Sequence, residues 1–529
     1  MQTGLKNHLA WIYTLKIMLV LIIFSISKRE GFAYNNITNP QDAISDDLLA
    51  TFGEQTGHPF SMERVIKAYN SLSDDMRSGI NASDIQPTHK YIRFMPCSED
   101  QMWSIEKRSD LNLYPYPLDC ESTEGFVGIN NPFILNGYPQ YWCIVDYQYP
   151  LSTLECPYEE ESELWFPSDD CLSNPAISSI LNTLWSNSHA NGQRGEVRGI
   201  NAYVPSGSVR YVDDSLGHTP LSGMEVQAFD SVDSYSALTN NSGYFSMSGV
   251  SFSGDFRYRI KFRRSDFSFH HETNLTSIEF LSDWTHSSLN KFFTGVYAKY
   301  SVIFQAAEYF YYSQTELPTP PLNTLWNACL RIRFFPDDSD PEGVSFFYRT
   351  GAFYYERPCI DIYGCSPDNN IQQSSQLYAA AMHELGHAMH YGMDRQLFDS
   401  IELWVQESVA NGVEYFFTLS RYPDCGYYDY FANFSVNYYT AIVRDLCDGM
   451  KHVYCIYRYN PGTQTITPHY SAYEDEVNST YTVPEVIEAV RTCTTPQQWN
   501  YRIYQLYHGP GEELSKAFTY WFEYCYSPD

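Results

Sequence analysis

Positive charge is scarce in this chain. Lys and Arg number 33 against 63 Asp and Glu, a formal net charge of −30 over 529 residues. So acidic a surface repels phosphate backbones and anionic headgroups, which sets aside nucleic acid and anionic lipid as partners. No C-x-x-C pair occurs, so neither a cysteine zinc knuckle nor a thioredoxin-type site is indicated. Long apolar runs are missing too, apart from IMLVLIIFSI, Ile17 to Ile26. Ten residues suit a signal-peptide core better than a membrane span, and Lys6 and Lys16 precede it. Small residues at Ser25 and Ser27, then at Gly31 and Ala33, put cleavage after Ser27 or Ala33. Residues 1–33 therefore read as a signal peptide. The expected product is secreted, cell-surface or periplasmic, with no integral membrane span after signal cleavage.

Cysteine is absent between residues 172 and 328. Five of the 13 cysteines lie between Cys97 and Cys171, and eight between Cys329 and Cys525. Such numbers fit disulfides in an exported protein. Cys359 with Cys365 is the easiest local bridge, and the odd count in the first group leaves one thiol over. This distribution divides the chain into three regions.

Residues 34–196 form the first, an α+β region. It opens with a helical pattern, FSMERVIKAYNSLSDDM, and continues with strand-like KYIRFMPC, DLNLYPYPLDC and YWCIVDYQYPL. No catalytic constellation stands out, and a pro-region, a binding module or scaffold are the readings open to it. Residues 197–267 carry short strands at close spacing: SVRYV, MEVQAF, SYSALT, YFSMSG and FRYRIKF. Helical periodicity is missing, so a small all-β sandwich is expected. Within it, PLSGMEVQAF and TNNSGYFSMSG resemble the P-L-x-G-V-x-V and T-[DN]-x-x-G-x-F patterns of carboxypeptidase-regulatory-like, transthyretin-like domains. Both glycines fall where a tight turn needs positive φ. The resemblance implies an accessory role without chemistry. Residues 268–529 begin with strand patterns, ACLRIRFF and FYYERPCIDIY. Helical ones follow: IELWVQESVANGVEYFF, VPEVIEAVRTC and ELSKAFTYWFEY. The order predicts an α+β domain with a helical C-terminal part.

The chemistry sits in LYAAAMHELGHAMHY, a strong helix former apart from Gly386. Ser374 or Ser375 is placed to cap its start and Gly392 its end. On a helix, His383 and His387 share a face one turn apart, and both imidazoles can reach one metal ion. Glu384 sits beside that ion without binding it, placed to take a proton from water.

H-E-x-x-H needs a third ligand. The metzincin pattern fails, since His390 and Met393 occupy its glycine and histidine positions. The arrangement instead resembles the gluzincins, the thermolysin-like and aminopeptidase-type metallopeptidases. They take their third ligand from a glutamate on the next helix, here Glu407, and W-V-Q-E-S-V-A (Trp404–Ala410) resembles the aminopeptidase stretch W-x-x-E-x-x-A. Glu402 competes for that role and reads better as a first-turn helix charge. His390 reads as a surface residue or a support to the ligands. The resemblance implies a zincin-like fold and one zinc ion. It implies peptide-bond hydrolysis of a protein or peptide substrate, with Glu384 as general base. It also assigns Asn411 to hold the first histidine, where the thermolysin branch has aspartate. Relatives stabilise the transition state with a downstream tyrosine or histidine. Tyr415, His452, His469, Tyr470 and His508 are the candidates here. In such enzymes an upstream edge strand pairs with substrate, and FYYERPCIDIY is the candidate. The aminopeptidase signature G-x-M-E-N is absent; the nearest string, GAFYYERP, has Glu356 displaced. The competing expectation is an exported binding or adhesion protein on a degenerate peptidase scaffold.

Overall fold

The computed structural model describes residues from 49 onward. The segments outside the description include 168–173, 189–202, 322–328, 340–345, 349–358, 425–439, 448–452, 475–480 and 508–516, with several shorter ones. The segment expected to be a signal peptide, Glu356, His452, His508 and most of ELSKAFTYWFEY lie outside the described residues. The chain mixes helices with open sheets, and residues 44–529 form one compact unit.

The first region contains helix α1 (Met62–Asn70) and an antiparallel sheet of β1 (His89–Phe94), β3 (Tyr141–Asp146) and β4 (Tyr158–Leu164), with β1 central. Of the predicted strand DLNLYPYPLDC, Tyr114 makes an isolated bridge to Trp142, and only the last residue, Cys120, enters a strand, Cys120–Ser122, which pairs with Phe52–Gln55. The prolines at 115 and 117 cannot donate to a ladder, which limits pairing there. A short strand of the same region, β2 (Gly125–Val127), leaves it altogether, as described next.

The second region supplies β5 (Ser206–Asp213), β6 (Gly217–Pro220), β7 (Glu225–Phe229), β8 (Ser234–Leu238), β9 (Tyr244–Ser246) and β10 (Arg257–Lys261). They divide between two sheets. In one, β5 pairs with β6 and β9. The other runs β8-β7-β10 and continues through β12 (Glu279–Leu281) to β2. Alternation along these strands buries Val209, Tyr211, Val226, Ala228, Tyr258 and Ile260 in one core. Gly223 and Gly243 adopt φ of +71° and +73°, the turn conformation their spacing predicts. β2 lies at the far edge of the second sheet, and its Phe126 ring stacks on Tyr297 at 3.4 Å and 4°. Strand β13 (Leu289–Phe293) pairs in parallel with β5 and is the fourth strand of the first sheet.

The third region is organised by a buried helix, α2 (Gly295–Glu308), whose side chains from Val296 to Glu308 are all covered. Beside it lies a sheet in the order β11 (Phe267–His271), β14 (Leu330–Ser339), β16 (Cys359–Cys365), β15 (Phe346–Tyr348). The first three are parallel, and β15 runs antiparallel at the edge. The segment expected to form an edge, FYYERPCIDIY, therefore contributes an interior strand over its described part, and β15 holds the edge. Cys359 and Cys365 stand at opposite ends of β16, roughly 20 Å apart at about 3.3 Å per residue. That rules out the expected local bridge, since a disulfide spans about 4–7 Å between Cα atoms.

Helix α3 (Ser374–Met393) follows, then α4 (Leu403–Arg421). Neither serine caps α3. Gln373 precedes it, and its N–H donates to Gln376 Oε1 at 2.8 Å. Ser374 is already helical and bonds elsewhere, as shown below. The helix runs past Gly392 to Met393. Among the described residues no helix is long and apolar enough to cross a membrane.

Candidate metal centre

Helices α3 and α4 pack antiparallel. Gly386 faces Ala410 and Val413, His383 faces Glu407 and Glu414, and Tyr378 faces Tyr422. Gly386 makes the approach possible, since an added Cβ would meet Ala410 Cα at 2.9 Å and Val413 Cβ at 3.3 Å. Gly386→Ala gains about 1 kcal/mol of helix propensity. Overpacking costs about 1–3 kcal/mol, and a backbone atom cannot swing aside. The expected net result is destabilisation of up to about 2 kcal/mol, with weaker metal binding. Urea unfolding and a zinc titration measure both.

The close contact brings three ligand atoms together from two helices. His383 Nε2 lies 3.1 Å from His387 Nε2 and 3.3 Å from Glu407 Oε2, and His387 Nε2 lies 3.2 Å from the same oxygen. One ligand atom each from His383, His387 and Glu407 falls within a 4.8 Å span. Three lone-pair atoms this close need a proton or a cation between them. The electrostatics agree. Burial opposes charge on His383, yet hydrogen bonds to Glu407 and Glu414 and the field of nearby carboxylates hold its pKa well above the ordinary value. Burial likewise raises Glu407, but His387 and His383 bring its carboxyl well below the ordinary range. The donor set of two imidazoles and a carboxylate therefore fits a divalent cation.

Glu384 stands outside the ligand group. It is 1% exposed, and its Oε2 is buried without a hydrogen-bond partner. Burial pushes its carboxyl well above the usual range; His383 opposes the shift, while Glu407, Glu414 and Asp361 add to it. An unpartnered carboxylate oxygen on the residue after His383, in the field of His383 and Glu407, is a candidate to receive a proton.

The residue that orients His383 differs from expectation. Asn411 points away, its Nδ2 donating to the Thr440 carbonyl at 2.9 Å. Glu414 takes the role instead, with Oε2 at 3.0 Å from His383 Nδ1. Glu414 comes seven residues after Glu407, two helical turns on and on the same face, which is the signal in the sequence that could have found it. A carboxylate on Nδ1 holds the proton there and leaves the Nε2 lone pair facing His387 and Glu407. Glu414→Gln keeps the shape and loses the charge, so zinc affinity should fall about 10- to 100-fold with little loss of folding. Competition against a calibrated chelator reads this directly.

The remaining candidates are placed as follows. Glu402 is the N-cap of α4 and exposed, away from the ligand group. His390 is not at the surface: it is 1% exposed, both ring nitrogens lack hydrogen-bond partners, and it meets Phe398 edge-on at 5.4 Å. Burial, aided by His387, pushes its pKa down to about 3, so it stays neutral. Tyr415 lies half-buried under the Arg444 guanidinium, 4.9 Å from the ring centroid. His469 and Tyr470 lie on the strand Thr465–Glu474, opposite Ile456 and Cys455, and only the backbone is described there. None of the proposed transition-state donors is brought to the ligand group by the described geometry.

No family model matches the chain, and no curated protein matches it. Among solved structures it is similar to the 5-hydroxyisourate hydrolase of Klebsiella pneumoniae, at 17% identity over 18% of this chain and 90% of that one. The TM-score of 0.12 is too low for that likeness to bear on fold or activity.

Proposed function

We propose that the chain is a secreted zinc metallopeptidase of the gluzincin type that hydrolyses peptide bonds in proteins or peptides. The observation that carries this reading is the convergence of His383, His387 and Glu407 on one point, with Glu384, whose Oε2 is buried and unpartnered, next in the chain to His383. Two histidines and one carboxylate leave a further position for water or substrate, as a catalytic rather than a structural zinc site requires. A bound zinc supplies Lewis acidity toward a water and a carbonyl oxygen. The chain's own residues do the rest. Glu384 takes the proton of the attacking water and passes it to the leaving amine. Glu414 holds His383 in the tautomer that presents Nε2. On this reading, residues 268–529 form a zincin-like catalytic part and residues 197–267 a carboxypeptidase-regulatory-like sandwich. Edge strand β15 is the backbone available to an extended substrate.

The test uses the purified mature chain. Elemental analysis should find one zinc per chain. Hydrolysis of an unfolded protein should vanish on treatment with 1,10-phenanthroline and return with zinc. A chain that binds zinc but cleaves neither unfolded proteins nor peptides moves the reading to an exported binding protein on a peptidase scaffold. A chain without zinc affinity overturns both the site and the reaction.

A further inference from the structure

The ligands come from two helices, so their spacing depends on how α3 and α4 lie against each other. Gly386 against Ala410 is one tight contact. Further along, the helices meet only through side chains, such as Tyr378 on Tyr422 with ring centroids 5.4 Å apart, which leaves them more freedom to roll and pivot. A second tie at a distance removes that freedom.

The β5–β6 hairpin supplies such a tie. Its turn begins at Asp213 and Asp214, the end of the first sheet's long strand. Asp214 clasps the N-terminus of α3: its N–H donates to Ser374 Oγ at 3.0 Å, and its Oδ2 accepts the Ser374 N–H at 3.1 Å. A carboxylate there also meets the positive end of the helix dipole. Asp213 grips the C-terminus of α4. Its Oδ2 accepts the Tyr422 hydroxyl at 2.7 Å, while its Oδ1 accepts the N–H groups of Ser215 and Leu216, both at 3.0 Å. Asp213 is 1% exposed, and these bonds satisfy side-chain oxygens that water cannot reach. Next to it, Arg421 donates to Tyr211 of β5 at 2.6 Å, and its guanidinium lies 5.1 Å from the Tyr378 ring of α3. The hairpin thus holds both helices at the end remote from the ligands. Ser374 lies nine residues from His383, about 14 Å along the helix, and Tyr422 fifteen from Glu407, about 22 Å.

We infer that Asp213 and Asp214 are positioning residues: through this hairpin the β-rich second region sets the α3–α4 geometry and, with it, the metal affinity of the site. The inference deepens the zinc reading and, in its metal part, rests on it. It gives the second region a task in the chemistry, where the sequence implied only an accessory.

The experiment compares the full mature chain with Asp213→Ala/Asp214→Ala and with Asp213→Asn/Asp214→Asn. The asparagine pair keeps an acceptor oxygen at each position. Zinc affinity is measured by chelator competition, ligand geometry by the visible spectrum of the cobalt-loaded protein, and α3–α4 protection by amide exchange over residues 383–390. The alanine pair should bind zinc about 10- to 100-fold more weakly, the range seen for outer supports of metal ligands, with an altered cobalt spectrum. The asparagine pair should recover most of the loss. If the alanine pair does not fold, Tyr422→Phe removes only the hydroxyl on Asp213 and should show the same changes in smaller degree. A folded alanine pair with wild-type zinc affinity and cobalt spectrum overturns the inference and leaves the peptidase reading intact. If the wild type binds no zinc, the peptidase reading fails separately, and exchange decides the brace: faster exchange over 383–390 supports it, unchanged exchange overturns it.

Discussion

Glu384→Gln should slow hydrolysis of an unfolded protein by the order of 10²-fold or more while the zinc content stays unchanged. The substitution is close to isosteric, and the site explains why it separates two roles. Glu384 is outside the three-ligand group, so an amide there should leave His383, His387 and Glu407 in place. Its side chain is 1% exposed with one oxygen unpartnered, so the lost function is the acceptance of a proton, which an amide oxygen does not perform near neutral pH. Rate and zinc stoichiometry are measured on the same preparations. Equal rates for wild type and variant would assign the activity to a contaminant or to another part of the chain. A variant that has lost its zinc would mean that Glu384 also helps to hold the ion.

A chain shortened to begin at residue 197 should fail to fold, and protein cut near residue 196 should stay assembled or lose activity. A removable pro-region would contact the rest from outside; this region contributes from within. β2 pairs Gly125 with Leu281, Phe126 with Phe280 and Val127 with Glu279. Phe126 belongs to the main core, between Phe280, Phe293 and Tyr297. Loss of one such ring costs about 3–5 kcal/mol, a large part of the 5–15 kcal/mol that stabilises a typical domain. Polar ties cross as well. The buried Arg257 donates to Ser122 and to the Thr123 carbonyl, and the buried Arg259 lies 4.7 Å from the Tyr114 ring. Truncation would also open β12 as a bare sheet edge, a template for aggregation. Soluble yield, circular dichroism and zinc content of residues 197–529 against the full mature chain check this. A soluble, zinc-binding, active fragment would restore the pro-region reading.

Local chemistry was legible in the sequence because helices and turns obey short periods. Four residues are one turn, so His383 and His387 face one way before any tertiary contact is known. Gly223 and Gly243 were likewise readable, since a positive-φ turn selects glycine from its own neighbourhood. The strands β5, β7 and β10 were readable as strands from short apolar stretches between turn residues.

What the tertiary structure decided was every choice between partners distant in the chain. Asn411 and Glu414 both lie near the right face of α4, and the helix crossing settles that Glu414 meets His383 while Asn411 meets Thr440. His390 is polar and looked superficial, but Phe398 closes over it. β16 and β15 are alike as strands, and only sheet order makes one interior and the other the edge. β2 is three residues long, too short for any periodic signal, yet it joins the first region to the core of the second. A period fixes which way a side chain points; what it points at depends on long-range packing, where burial of apolar surface, summed over the whole fold, outweighs any local pattern.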